Sequence, residues 1–237
     1  MCTLPFQYKI QLKVNAKLVV HPPRRVPASL CDHLKQELER MQHLGIISKI
    51  TEPTDWVSSM VCVKKSNGDL RICIDPKDLK LNIRREHYPI PKHEEITSEM
   101  AIAKIFSKLD ASRDFWQMQL DDTSTKLCTF NTTFGCYCFN RMPFGIISAS
   151  EIFHRAMEQM TEGIDGVQVY DIIIWSSTGK GHNARLLQVL KSIYKFGLKL
   201  NRSKSNFGIS TLTFMGNQIS EHGVQPDNDK VLPFRRL

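Results

Sequence analysis

The chain has 237 residues, 41% of them apolar and 24% charged, with a formal net charge of +8. That is an ordinary globular composition with enough apolar residues to bury a core, and it excludes a low-complexity chain. No apolar run approaches the roughly 20 residues of a membrane span, and MCTLPFQYKIQLKV has no basic stretch leading into an apolar one, so neither a membrane segment nor a signal peptide is expected. The opening stretch to about Pro27 reads as polar and extended, with HPPRRVP as a polyproline-like arm. Ser29 is placed to cap a helix in which Leu30, Leu34, Leu38, Met41 and Leu44 recur at spacings of three and four, and Gly45 ends it. WVSSMVCVKK reads as a strand, SNGD as a tight turn and LRICID as the returning strand. HYPIPK is a loop because of its two prolines, and residues 104–110, KIFSKLD, form a strand ending in Asp110. LCTFN and CYCFN flank TTFG as a second hairpin, MPFG is a turn, and a helix is expected from about Ala149 to Glu162. VQVYDIIIW follows as a buried strand, then a helix carrying Leu186, Leu187, Leu190, Ile193 and Tyr194 that closes at Gly197, and TLTFMGNQIS as a last strand. The order of elements makes the chain α+β with antiparallel pairing dominant.

Seven cysteines are scattered, and Cys136 and Cys138 are too close for a zinc knuckle or a redox pair. They read as reduced thiols of an intracellular protein, cytoplasmic or nuclear. The basic residues cluster: Lys64, Lys65, Arg71, Lys77, Lys80, Arg84 and Arg85 in one segment, Lys191, Lys195, Lys199, Arg202 and Lys204 in another. Either cluster is a solvated face or a surface for a polyanion. Asp110 ends one strand, and Asp171 lies within or at the tip of another. Two carboxylates delivered by separate strands are the oxygen ligands that divalent ions in phosphoryl transfer use, or else they are strand-end acids that cap turns.

Several motifs occur together: HLGIISKITEPTDWVSSMVCVKKSNGDLRICIDPKDL, HYPIPKHEEI, FSKLDASRDFWQMQLDD, FNRMPFGIISASEIFHRAM, GLKLNRSKSNFG and FMGNQISEHGV. Through them the sequence resembles the reverse transcriptases of gypsy-type long-terminal-repeat retrotransposons, from about Tyr8 to Val231. The resemblance implies the fingers and palm of a right-handed polymerase, mostly antiparallel sheet packed on helices. It places an extended arm at 1–27, fingers at 28–100, palm at 101–210 with a fingers insertion within about 120–148, and a primer-grip hairpin at 211–237. It implies template-directed addition of deoxynucleotides, with two Mg2+ ions (Mn2+ as a substitute). The implied partners are an RNA or DNA template with its primer and deoxynucleoside triphosphates, with no membrane; oligomeric state is left open. Asp110 matches the palm aspartate that ligands both metals, and Phe115 the aromatic under the sugar. Lys64 or Lys65 and Arg71 match the fingers hairpin that grips the triphosphate, where a planar guanidinium binds phosphate bidentately. Pro143, Phe144 and Gly145 match the turn near nucleotide and template, Lys204 a basic residue facing the nucleotide phosphates, and Phe214, Met215 and Gly216 the primer grip.

The sequence also departs from the pattern. The family carries tyrosine, an apolar residue and two aspartates; here Asp171 follows Tyr170 at once. Asp171 aligns with either member of the pair, and the following IIIW favours the second. Arg113 and Asp114 stand where serine-glycine is usual, Ser150 where proline is usual, and Glu151 where a small residue is usual. The chain stops at VLPFRRL, which leads us to expect a piece of a polyprotein without thumb, connection or ribonuclease H domain. A catalytically impaired polymerase domain is the first reading. A nucleic-acid-binding module without chemistry and an inert retroelement relic are the rivals.

Overall fold

The computed structural model describes residues 3–64, 70–89, 93–100, 102–112, 114–169 and 171–227. Along the chain these form β1 (Gln7–Tyr8), α1 (Ala28–His43), β2 (Ile47–Lys49), β3 (Ser58–Lys64), β4 (Leu70–Asp75), α2 (Lys77–Asn82) and α3 (His93–Glu99). Then come β5 (Ile105–Leu109), β6 (Gln119–Leu120), α4 (Asp122–Leu127), β7 (Thr129–Thr132), β8 (Gly135–Phe139) and α5 (Ala149–Thr161). The last part holds β9 (Val167–Gln168), β10 (Ile172–Ser176), α6 (Gly179–Phe196), β11 (Asn206–Ile209), β12 (Leu212–Phe214), β13 (Asn217–Ser220) and β14 (Gly223–Pro226). The fold is α+β, and every strand pairing except β1–β6 and β3–β7 is antiparallel. No described helix is long and apolar enough to cross a membrane. The chain divides into two compact units, Met1–His87 with Arg113–Phe153, and Tyr88–Ser112 with His154–Leu237.

The first unit is built on a five-stranded sheet in the order β2-β8-β7-β3-β4. Helix α1 buries Leu34, Leu38 and Met41. Its start differs from expectation. Pro27 is the N-cap and no side chain caps the helix, because Ser29 already lies inside the first turn, where the Leu30 N–H reaches the Pro27 carbonyl. Its end is as expected: Gly45 has φ +66°, and the Ile46 and Gly45 amides bond back to Met41 and Gln42. The amino-terminal arm is extended but not merely polar, since Leu4, Tyr8 and Ile10 are buried. The SNGD turn lies outside the described residues.

The second unit carries a four-stranded sheet in the order β11-β5-β10-β9 and a three-stranded sheet in the order β12-β13-β14. Phe106, Ile173, Trp175, Leu212, Phe214 and Ile219 form its core with Ile96 and Met100. VQVYDIIIW, read as one strand, is a hairpin, and TLTFMGNQIS, one strand by its pattern, forms a hairpin as the resemblance implies. VQVYDIIIW reverses between β9 and β10, and TLTFMGNQIS reverses between β12 and β13. For VQVYDIIIW the cause is burial. β10 is buried at every residue from Ile172 to Ser176, and neighbouring β9 contributes the buried Gln168, so no polar alternation marks where the chain turns. Helix α6 turns His182, Val189 and Ile193 inward, leaving Leu187 and Tyr194 exposed, and ends at Gly197 with φ +77°. Removing the fully buried Phe106 ring by Phe106→Ala is expected to cost about 3–5 kcal/mol, read as a lower urea midpoint with the m-value unchanged.

Candidate functional site

In the second unit, β5 and β10 pair from Ile105↔Ser176 to Leu109↔Ile172. Asp110 and Asp171 are the residues immediately beyond this last paired step, so the two strands deliver both acids to the same end of the sheet. Alternation puts Phe106 and Lys108 on one face of β5 and, continued by one step past its end, carries Asp110 to the same side. That face therefore passes from core to charge. Lys108 Nζ lies 2.6 Å from Asp171 Oδ2. The pair is diagonal, because Lys108 stands opposite Ile173, two residues after Asp171. Gln168↔Ile173 is the last rung of the β9–β10 hairpin, leaving only residues 169–172 to make the reversal. Tyr170 lies outside the described residues.

The backbone of Asp110 is held from both sides. Its N–H donates to Ser205 Oγ (3.1 Å), and its carbonyl accepts from the Asn201 N–H (2.8 Å). Ser205 Oγ in turn donates to the Asn201 carbonyl (2.8 Å). Ala111 bridges Leu200, and the Ser112 N–H reaches the Lys199 carbonyl. The 3-10 turn Arg202–Lys204 is thereby fixed beside the strand end, with Arg202 and Lys204 exposed. Three residues before Asp110, Ser107 Oγ lies 3.0 Å from His182 Nε2 and accepts the Gly208 N–H at 3.0 Å, tying β5 to α6 and β11.

The primer-grip match forms a two-residue turn. Phe214 pairs with Asn217, and Met215 and Gly216 take φ +48° and +84°. Both positive values suit the right-handed twist of a hairpin. Met215 is the only described non-glycine residue with positive φ. It is 46% exposed, whereas the Phe214 ring is 1% exposed and belongs to the core.

In the first unit the guanidinium of Arg71 lies 5.2 Å from the Phe144 ring centroid. Phe144 packs at 5.3 Å from Phe115, which meets Phe153 edge-on at 6.1 Å. Gly145 follows with φ +104°, and a β-carbon there would lie 3.3 Å from the Ile74 carbonyl oxygen and from Pro76 Cδ. Only glycine fits that approach without strain. The β3–β4 register pairs Val63 with Arg71 and Lys64 with Leu70, so Lys64 and Arg71 point to opposite faces of the hairpin. Lys65 and Arg113 lie outside the described residues, as does the side chain of Asp114.

Two dications that also bind a triphosphate need several carboxylate oxygens. Among the described residues no three His, Cys, Asp or Glu side chains are placed to share a metal ion. Of the two acids present, Asp171 is already bonded to a lysine. As arranged, these residues do not fit a pair of divalent ions. Lys108 escapes a motif-based reading because its charge partner comes from another strand, although its place two residues before Asp110 is a usable signal. Ser205 and Asn201 act through backbone groups and leave no such trace.

Residues 63–219 match the family described as reverse transcriptase (RNA-dependent DNA polymerase). The chain is 32% identical over 228 residues to an uncharacterized protein of Caenorhabditis elegans, covering 94% of this chain and 18% of that protein. It is 29% identical over 236 residues to the retrovirus-related Pol polyprotein from transposon 412 of Drosophila melanogaster, covering 94% and 19%. The corresponding polyprotein from transposon gypsy is 28% identical over 208 residues, covering 84% and 20%. The chain thus spans about a fifth of the length of each of these three relatives. In fold it is similar to a foamy viral protease-reverse transcriptase solved with an RNA/DNA hybrid. The TM-score is 0.87 at 17% identity, covering 99% of this chain and 32% of that one.

Asparagine adopts the left-handed conformation at less cost than methionine, so Met215→Asn is expected to stabilise the chain by about 1 kcal/mol, seen as a higher Tm. Ser205→Ala strips the Asp110 N–H of its acceptor, with an expected loss of about 1–3 kcal/mol. Ser205→Thr, which keeps the hydroxyl, should retain most of the wild-type Tm.

Proposed function

The chain belongs to the reverse transcriptase (RNA-dependent DNA polymerase) family, and from that premise we propose that it is the fingers and palm of a gypsy-type retrotransposon Pol protein, able to hold a primer–template but impaired in nucleotidyl transfer. Reverse transcriptases generally use divalent metal ions. In this reading Asp110 and Asp171 are the acids of the polymerase centre, and the shortened Tyr170–Asp171 motif has lost one carboxylate. The observation that carries the reading is the short β9–β10 reversal, residues 169–172, with its single described acid committed to Lys108.

The remaining roles follow from chemistry. Arg71 and Lys204, exposed and basic, are assigned to nucleotide phosphates, with Lys64 and Lys65 as further hairpin cations. Phe115, braced by Phe144 and Phe153, offers a rigid ring for the sugar, and Gly145 keeps its turn close to β4. Met215, held exposed at the tip of its hairpin, is assigned to the primer end. Its strained φ supports that role, since strain persists where a particular presentation is needed. The structurally similar foamy viral protein was solved with an RNA/DNA hybrid, which supports the same class of partner here. Lys199, Arg202 and Lys204 all lie exposed along the segment that braces Asp110, and such cations bind phosphates without reading sequence. This favours retained nucleic-acid binding even where chemistry is lost.

The test is primer extension on an RNA template with Mg2+ or Mn2+, comparing the chain with a variant that regains an apolar residue and an aspartate between Tyr170 and Asp171. The unrepaired chain is expected to extend at least about 10–100-fold more slowly, while both bind the hybrid with an affinity that falls as salt rises. Equal extension rates would sink the impairment, and absence of hybrid binding at low salt would sink the partner assignment.

A further inference from the structure

We propose that the Lys108 ammonium is the resident counter-cation of the palm acids, occupying at Asp171 the place a divalent ion would need and keeping such ions out. The proposal rests on the reading of Asp110 and Asp171 as the polymerase acids. Its ground is that Lys108 and both acids share one side of the β5–β10 pair, with Nζ at 2.6 Å from Asp171 Oδ2.

The contact is built rather than incidental. On each side of Lys108 the strand is fixed by a buried residue: Ser107, bonded with His182 and Gly208, and Leu109. Asp110 is fixed by Ser205 and Asn201. Because the β9–β10 reversal is confined to residues 169–172, Asp171 directly precedes the first β10 residue and stands diagonal to Lys108. The Lys108 and Asp171 side chains are only 28% and 41% exposed, so the pair is partly withdrawn from water.

The charges favour the lysine. Two carboxylates and one ammonium leave a single negative charge for an incoming dication. Magnesium also demands near-octahedral oxygen ligands and sheds water reluctantly, whereas an ammonium needs only an acceptor in reach. An internal cation competes at the high effective concentration of a tethered group. Binding a metal through Asp171 therefore requires breaking the Lys108 contact and leaving its ammonium beside the ion.

The experiment is a Mn2+ titration followed by electron paramagnetic resonance, with Mn2+ alone as probe and no nucleotide or nucleic acid. Wild type is compared with Lys108→Met, Lys108→Gln and Lys108→Arg, each checked for folding by its Tm. The neutral variants are expected to bind Mn2+ at least about tenfold more tightly than wild type, Lys108→Arg to stay at the wild-type level, and Asp110→Asn added to Lys108→Met to abolish the gain. If wild type already binds as tightly as the neutral variants, and Asp110→Asn weakens it, the counter-cation proposal falls while the acid-pair reading stands. If no variant shows binding that depends on Asp110, both fall.

Discussion

The antiparallel register of β5 and β10 is the constraint on which the second unit depends. β10 is buried on both faces along its length, so a one-residue slip would push Trp175 and Ser176 into places packed around other side chains and is disfavoured. That fixed register carries Asp110 and Asp171 to one end of the sheet. It also sets Lys108 on the side of Asp110. The same hydrophobic lock that protects the fold therefore determines which charges meet.

Around this lock the polar groups at the strand end find partners close by. Ser205 and Asn201 hold the Asp110 backbone, and Ser107 links strand to helix through His182. The first unit shows the same economy. Glu151 is buried, a costly place for a lone carboxylate, but Arg85 donates two N–H groups to its Oε1 at 3.1 and 2.8 Å. Nearby, the Glu86 N–H reaches Ser148 Oγ at 3.2 Å. A carboxylate that looks costly in isolation is thus matched by a partner more than sixty positions away in sequence.

Much of the architecture was legible from pattern. The spacing of Leu34, Leu38 and Met41 marked α1, Gly45 and Gly197 marked helix ends, and TTFG marked the turn between β7 and β8. One miss has a clear cause. Within VQVYDIIIW both described arms of the hairpin are buried or half-buried, so periodicity runs on through the reversal. Likewise α6 presents Leu187 and Tyr194 to water, because its inward face follows His182, Val189 and Ile193 rather than the full set of apolar residues.

By itself the sequence determined the α+β class and the kinship through its clustered motifs, since both lie in local order along the chain. Only tertiary structure decided what Asp171 faces. The meeting of Lys108 with Asp171, like the bracing of Asp110 by Ser205 and Asn201, depends on strand register and on residues far apart in sequence. Such contacts exist only once the buried faces of β5, β10 and β11 have chosen their partners, and no linear spacing encodes that choice.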